Sequence, residues 1–208
     1  FDQLNEALDH YPSVNSQHLQ LEILESSALG DLAAISGIIK SCQNVLGVNV
    51  ALDDFGTGYS SLTHMKSLSA NTIKIDQTFV RDLLDDPDDY SIIEGIIGLA
   101  KAFNREVIAE GVESDAHGLI LLIMGCDEAQ GYGISRPLPA KELASWLSDY
   151  TPNNYWLDHA SRHLSVQDQK ITLLKLTTEQ WFNNIRNELL SMKDNGFEEY
   201  LLKCHLGT

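Results

Sequence analysis

Hydrophobic positions along the 208-residue chain follow two alternating periods. Short apolar runs of strand type lie at residues 18–24, 48–54, 72–76, 106–111 and 128–133. Between and after them, apolar residues recur at helical spacing near 29–45, 60–69, 88–104, 114–124 and 139–149. Helical crossovers of this length join parallel neighbours, so the pattern predicts an α/β fold of five strand–helix units. Asp31 or Ser36 is suited to cap the first of these helices, and Gly47 to stop it.

After residue 150 the pattern changes. Tyr150-Thr151-Pro152-Asn153-Asn154 reads as a boundary, which divides the chain into 1–149 and a helical extension, 150–208. The extension holds two helical stretches separated by Ser165-Val166-Gln167-Asp168. The second, near 176–192, sets Leu176, Trp181, Ile185, Leu189 and Met192 near one stripe, read most simply as a packing face.

Composition narrows the setting. With 43% hydrophobic residues the chain can bury a core, and no apolar run approaches a membrane span. Cys42, Cys126 and Cys204 lie far apart with no Cys-x-x-Cys pair, which suits a reducing compartment, so a cytoplasmic location is expected; upstream segments could still anchor a longer protein to a membrane. A net charge of −16 argues against a DNA or RNA duplex as partner, although a small anionic nucleotide held through metal ions is compatible with it.

The candidate chemistry gathers at strand ends. Val48-Asn49-Val50-Ala51-Leu52 runs into Asp53 and Asp54 and then into a polar loop hinged by Gly56 and Gly58. If the strands are parallel, their C-terminal ends share one rim, which collects Glu22, Asp53, Asp54 and Glu110 with Lys74 as the nearby strand cation. Carboxylates that close do not all stay ionised without cations among them, and all-oxygen donors favour magnesium, manganese or calcium. Neighbours on a regular strand point to opposite faces, so Asp53 and Asp54 can serve one centre only where the strand gives way to the loop. Two metals about 3.5 to 4 Å apart would activate water and stabilise the leaving oxygen of a phosphodiester. Plainer readings exist for each group taken alone: Asp-Asp as a turn or helix cap, Lys74 as a solvated strand end, Glu25 as a charge favourable to a helix N-terminus. Asp-Phe-Gly also occurs in protein kinases, but no catalytic-loop or glycine-loop partners accompany it here.

The string Asp53-Asp54-Phe55-Gly56-Thr57-Gly58-Tyr59-Ser60-Ser61 resembles the signature loop of the EAL family of cyclic di-GMP phosphodiesterases. Leu21-Glu22-Ile23-Leu24-Glu25-Ser26, Ile73-Lys74-Ile75-Asp76, Val107 to Glu113, and Gln130-Gly131-Tyr132 followed by Ser135-Arg136-Pro137-Leu138-Pro139 match further motifs in the family's order. The resemblance implies a TIM-like (β/α)8 barrel, of which these strands would be the fourth to eighth. About three strands, with the Glu-Ala-Leu motif and an Asn-bearing strand, are then expected ahead of Phe1. A five-strand piece would expose two sheet edges and have little activity alone. Glu6-Ala7-Leu8 is not that motif, since it sits in an amphipathic helical stretch without a strand before it.

The resemblance also implies roles. Glu22, Asp53, Asp54 and Glu110 match metal positions, with Asp53 as the bridge between two Mg2+ or Mn2+ ions; Ca2+ would inhibit. Lys74 matches the lysine that orients the hydrolytic water or stabilises phosphate charge, and Gln130 an active-site glutamine. Glu25 matches the glutamate that steadies the Asp53 to Leu62 loop, which includes Gly56, Thr57 and Gly58 and would couple self-association to metal binding. Asp76 would orient Lys74. Arg136 would approach a guanine or a phosphate, or form a structural turn with Pro137; the role of Glu113 stays open. The implied reaction is hydrolysis of cyclic di-GMP to linear pGpG in bacterial signalling, in a homodimer with an upstream sensor or GGDEF domain. The alternatives are a catalytically silent receptor or protein-interaction module of the same fold, and an unrelated metal-dependent barrel enzyme. Cys204-His205-Leu206-Gly207 is similar to the Cys-x-Leu-Gly segment of chemoreceptor zinc-binding helical domains, although Thr178 stands where that family has a histidine before Trp181. His159 and His163, one helical turn apart, could bind zinc with Cys204 or His205, or simply be solvated.

Overall fold

The computed structural model describes residues 1–29, 31–58, 65–160 and 166–194. The chain divides into two units, Phe1–Arg162 and His163–Thr208. The first is built on five strands, β1 Gln20–Leu24, β2 Asn49–Phe55, β3 Thr72–Ile75, β4 Glu106–Ala109 and β5 Glu128–Ala129. They lie side by side in sequence order, every pair parallel. Around them run α1 Asp2–His10, α2 Leu32–Ser41, α3 Gln77–Asp82, α4 Pro87–Ala102, α5 Asp115–Met124, α6 Ala140–Asp149 and α7 Asn154–Ala160. The parallel α/β order follows the pattern of periods, and a parallel sheet in sequential order with a helix after most strands is an arc of a TIM-like barrel, as the resemblance implies.

The core lies between the central strands and the helices that cover them. All four residues of β3 are buried, as a strand covered on both faces must be. Val50, Ala51, Leu52 and Phe55 of β2, Ile93, Ile96 and Ile97 of α4 and Leu119, Ile120 and Leu121 of α5 are all buried. The edges differ. β1 alternates between exposed and half-buried positions and β5 is exposed, so both ends of the arc are open. On the helices flanking the arc, α1 and α6 bury no residue, although both are amphipathic; Leu143 and Leu147 of α6 are exposed. Glu6-Ala7-Leu8 lies within α1, as its helical spacing predicts.

Local signals explain most boundaries. Asp31 caps α2 by accepting the N–H groups of Ala33 and Ala34, whereas Ser36 donates to the carbonyl of Ser67. The helix then widens into a π turn, Cys42–Leu46, and stops at Gly47, whose φ of 72° is left-handed. Two expectations need correction. The strand read over 128–133 ends at Ala129, because the chain turns back and Gly131 closes on the backbone of Val112. A helix the periodicity misses, α3, begins directly after β3 because Asp76 caps it. Of the helix expected at 60–69, residues 60–64 lie outside those described and residues 65–67 are helical.

The second unit contains α8 Val166–Asp194, which begins about ten residues before the apolar stripe suggests. That stripe is not one face: Leu176 is 5% exposed and Trp181 58%, because five residues advance about 140° around a helix. Trp181 meets Phe182 edge to face. Of the groups considered for zinc, His163, Cys204 and His205 lie outside the described residues. Among those described, no helix is long and apolar enough to cross a membrane.

Candidate active site

Because the strands are parallel, the residues at their C-terminal ends share one rim, and each strand brings at least one polar group to it. Lys74 of β3, between two strands on either side, is buried and holds its ammonium 2.8 Å from Glu22 Oε1, 2.9 Å from Asp53 Oδ1 and 2.6 Å from Glu110 Oε1. Burial works against the ammonium charge, but close pairing with Glu110, Glu22 and Asp53 outweighs it and holds Lys74 above the ordinary lysine range. Gln130, just past β5, donates its amide to the same Glu110 Oε1 at 2.8 Å.

Asp53, Asp54 and Glu110 offer carboxylate oxygens that all lie within 4.8 Å of one another. Two successive strand residues converge because Asp54 is in the left-handed region, at φ 54°, and the pairing of β2 with β3 slips between Leu52 and Phe55. Thr57 fixes that turn: both its N–H and its hydroxyl donate to the Asp54 carbonyl. Burial, a side-chain hydrogen bond with Asp76 and the charge of Asp53 raise the Asp54 carboxyl above the ordinary aspartate range. Burial likewise raises Glu110, although Lys74 pulls it the other way. Asp53 Oδ1 is a buried oxygen without an aligned hydrogen bond, so the Lys74 ion pair meets it off line. Glu22 touches this cluster through Lys74 and stays half exposed.

Glu25 is fully buried in the turn after β1. Its Oε2 accepts the N–H of Gly56 at 3.0 Å and of Gly58 at 3.3 Å. A Cβ at Gly58 would stand 2.8 Å from Glu25 Cδ, so the carboxylate seats where only glycine leaves room. The rest of the loop, from Tyr59, lies outside the described residues. Asp76 accepts the N–H of Thr78, bonds the Thr78 hydroxyl and lies against Asp54.

Glu110 and Gln130 also line an open cleft of about 500 Å3, together with Gln77, Tyr132 and Arg136. The Arg136 guanidinium lies over the Tyr132 ring, 4.6 Å from its centroid. Glu113 lines the same cleft. Sequence reasoning did not single out Gln77, and it named Tyr132 only within the Gln130-Gly131-Tyr132 motif, without a role. Gln77 enters because α3 starts immediately after β3, and the capping pair Asp76 and Thr78 is the signal that marks it.

An EAL domain family model matches residues 1–137. The chain belongs to the EAL family. The bifunctional diguanylate cyclase/cyclic di-GMP phosphodiesterase MucR of Pseudomonas aeruginosa is 42% identical over 131 residues, 63% of this chain and 19% of that protein. The cyclic di-GMP phosphodiesterase PdeR of Escherichia coli is 41% identical over 133 residues, 64% of this chain and 20% of its own length. The chain thus spans about a fifth of these relatives. Among solved structures, the MucR phosphodiesterase from P. aeruginosa in complex with cyclic di-GMP superposes with a TM-score of 0.64 at 40% identity, over 68% of this chain and 57% of that one. The EAL domain of Mycobacterium smegmatis DcpA gives 0.66 at 38% identity, over 71% and 65%. Klebsiella pneumoniae BlrP1, solved with manganese and the cyclic dinucleotide, gives 0.61 at 26% identity, over 65% and 35%.

Proposed function

We propose that this EAL protein hydrolyses cyclic di-GMP to linear pGpG in a reaction that depends on a divalent metal. The observation that carries the reading is the convergence of Asp53, Asp54 and Glu110 within 4.8 Å, with Lys74 and Gln130 both on Glu110, which together with Gln130 also lines a cleft of about 500 Å3. The donors fit a hard cation: all are oxygens, Asp53 Oδ1 is buried without an aligned hydrogen bond, and the left-handed Asp54 turns its carboxylate to its neighbour's side. Asp53, Asp54 and Glu110 would hold Mg2+ or Mn2+, with Glu22 joining from the rim. Such an ion, when bound, activates water and neutralises charge on the phosphodiester.

The chain's own groups do the rest. Lys74 keeps a fixed positive charge at the rim, suited to an anionic phosphate oxygen, while Gln130 fixes one oxygen of Glu110 and leaves the other available. Glu25 ties the Gly56 to Gly58 backbone down, and so holds the turn that aims Asp54. Arg136 on the Tyr132 face offers both charge and a flat surface to a guanine nucleotide. In this reading residues 1–149 are the C-terminal part of the barrel and 150–208 a helical extension. The whole protein would act in the cytoplasm as a homodimer beside a sensor or GGDEF domain; the name of MucR, which pairs a diguanylate cyclase with the phosphodiesterase, supports only a second catalytic unit in such proteins.

Separation of cyclic di-GMP from pGpG by chromatography tests it in the protein with and without Asp53→Asn. Turnover that needs Mg2+ or Mn2+ and falls by about two orders of magnitude or more in the variant supports the proposal, and unchanged turnover sinks it. One observation favours the receptor reading: Lys74 already pairs with three of the acidic groups. Metal-independent binding of cyclic di-GMP without turnover would decide for it.

A further inference from the structure

Away from the carboxylate rim, the segment after α6 folds back on α5 and leaves a cleft walled by aromatic rings. The Trp156 indole N–H donates to the Asp115 carbonyl at 2.9 Å, and Asn153 donates to the Asp115 carboxylate at 2.7 Å, so α7 is pinned to the start of α5. The indole lies close against Gly118, where an added Cβ would come within 2.4 Å of the ring. Trp146 and Tyr150, one turn apart at the end of α6, sit with centroids 4.6 Å apart and planes tilted by 31°. Those three rings and Asp149 line a cavity of about 450 Å3. A second cavity of about 330 Å3 shares Ile134, Tyr150, Asn153 and Trp156 with it and continues into an apolar wall that includes Leu121, Leu122 and Leu157, with Asp127 at its margin.

The chemistry of the combined cleft is one-sided. It has π faces and carboxylates, and neither cavity is lined by a lysine or an arginine. Aromatic faces beside a carboxylate attract organic cations, through the ring quadrupole and the opposite charge together. The net charge of −16 on the chain adds a long-range attraction of the same sign. Asn153 and the Trp156 N–H are already used within the protein, so the charged contacts left to the site are the Asp149 carboxylate beside the rings and Asp127 at the margin of the apolar cavity, with Thr151 as a further polar residue in the lining. The apolar continuation suits an alkyl arm rather than a second charge.

We infer that this cleft is a binding site for a small organic cation, a quaternary ammonium or guanidinium group carrying an apolar arm, with the head between Trp146, Tyr150 and Asp149 and the arm along Leu121 and Leu157. The site is separate from the carboxylate rim and does not depend on the hydrolytic reading.

Titration of the purified protein with hexyltrimethylammonium tests it, followed by tryptophan fluorescence and by calorimetry, with uncharged 1-hexanol as the comparison probe and hexylguanidinium to separate the two head groups. Saturable binding of at least one cation, weakened about three- to tenfold by Asp149→Asn and by Trp146→Leu, with hexanol much weaker, is the expected result. Asp149 is exposed on the last turn of α6, so its amide variant keeps the fold. Equal binding of hexanol, the same cation affinity in Asp149→Asn as in the parent, or no saturable binding overturns the inference. Because cyclic di-GMP turnover is read separately, loss of that activity leaves this outcome untouched.

Discussion

Glu25 reaches from the turn after β1 to accept the backbone N–H of Gly56 at 3.0 Å, so a buried side chain on one strand end fixes the backbone beyond the next. Removing it with Glu25→Ala leaves two loop N–H groups without that acceptor, a loss of about 1–3 kcal/mol each where water cannot replace it. The variant is expected to melt lower and to bind Mg2+ or Mn2+ more weakly, although Glu25 is not in the acidic cluster. Thermal melts and metal titration check both, and parent-like values in both would make Glu25 a bystander.

Lys74→Met removes the ammonium from Glu22, Asp53 and Glu110 and leaves their charges facing one another. Loss of one partner from a buried ion cluster costs about 3 kcal/mol, near the low end of the range because Glu22 is half exposed. Urea unfolding should show that loss at neutral pH without metal, and Mg2+ should restore more stability to the variant than to the parent.

The raised carboxyls predict a pH dependence. Asp54 and Glu110 titrate higher in the folded chain than at their ordinary values of 3.8 and 4.5, burial being the first cause in each. An acid raised on folding contributes stability below its unfolded value and loses it as pH climbs through the folded one. In metal-free protein, that contribution to the urea midpoint therefore declines from the ordinary carboxylate range upward. Asp54→Asn should flatten the decline, and an identical profile in that variant would contradict the assignment.

Gly131→Ala places a methyl group 2.3 Å from both the N and the O of Val112, which are backbone atoms with no room to yield. Destabilisation of about 3 kcal/mol or more is expected, the upper part of the usual range for single substitutions. Gly37→Ala is the comparison: nothing lies within 4 Å of its Cβ, and alanine in α2 should stabilise by about 0.5–1 kcal/mol. Urea titration of both separates close approach from a general glycine effect.

Much of the arc was legible because strand-type and helix-type periods alternate cleanly, and because Asp53, Lys74 and Glu110 each follow an apolar run. The parallel register then brings those ends together, as the alternation demands. What the sequence hid is contact across strands. Nothing in Lys74 or Glu110 alone says that one Glu110 oxygen serves both Lys74 and Gln130, since that depends on the register of β3, β4 and the chain after β5. The left-handed Asp54 was equally silent, because aspartate occurs in strands and in turns. Tyr132 was given no role because its partner Arg136 comes back to it through a turn, and a strand read across 128–133 would have separated them. The stripe on α8 misled because apolar identity alone does not distinguish an inward residue from an outward one 140° away.

The backbone at Asp54 also governs how mutational experiments on this rim can be interpreted. A position at φ 54° accepts asparagine nearly as well as aspartate, but not alanine. Exchange for the amide therefore changes charge while keeping the turn, whereas alanine alters both charge and chain direction. A systematic alanine survey would assign Asp54 an importance that belongs partly to its main chain, and a ranking of Asp53 against Asp54 by that method would measure conformation as much as chemistry.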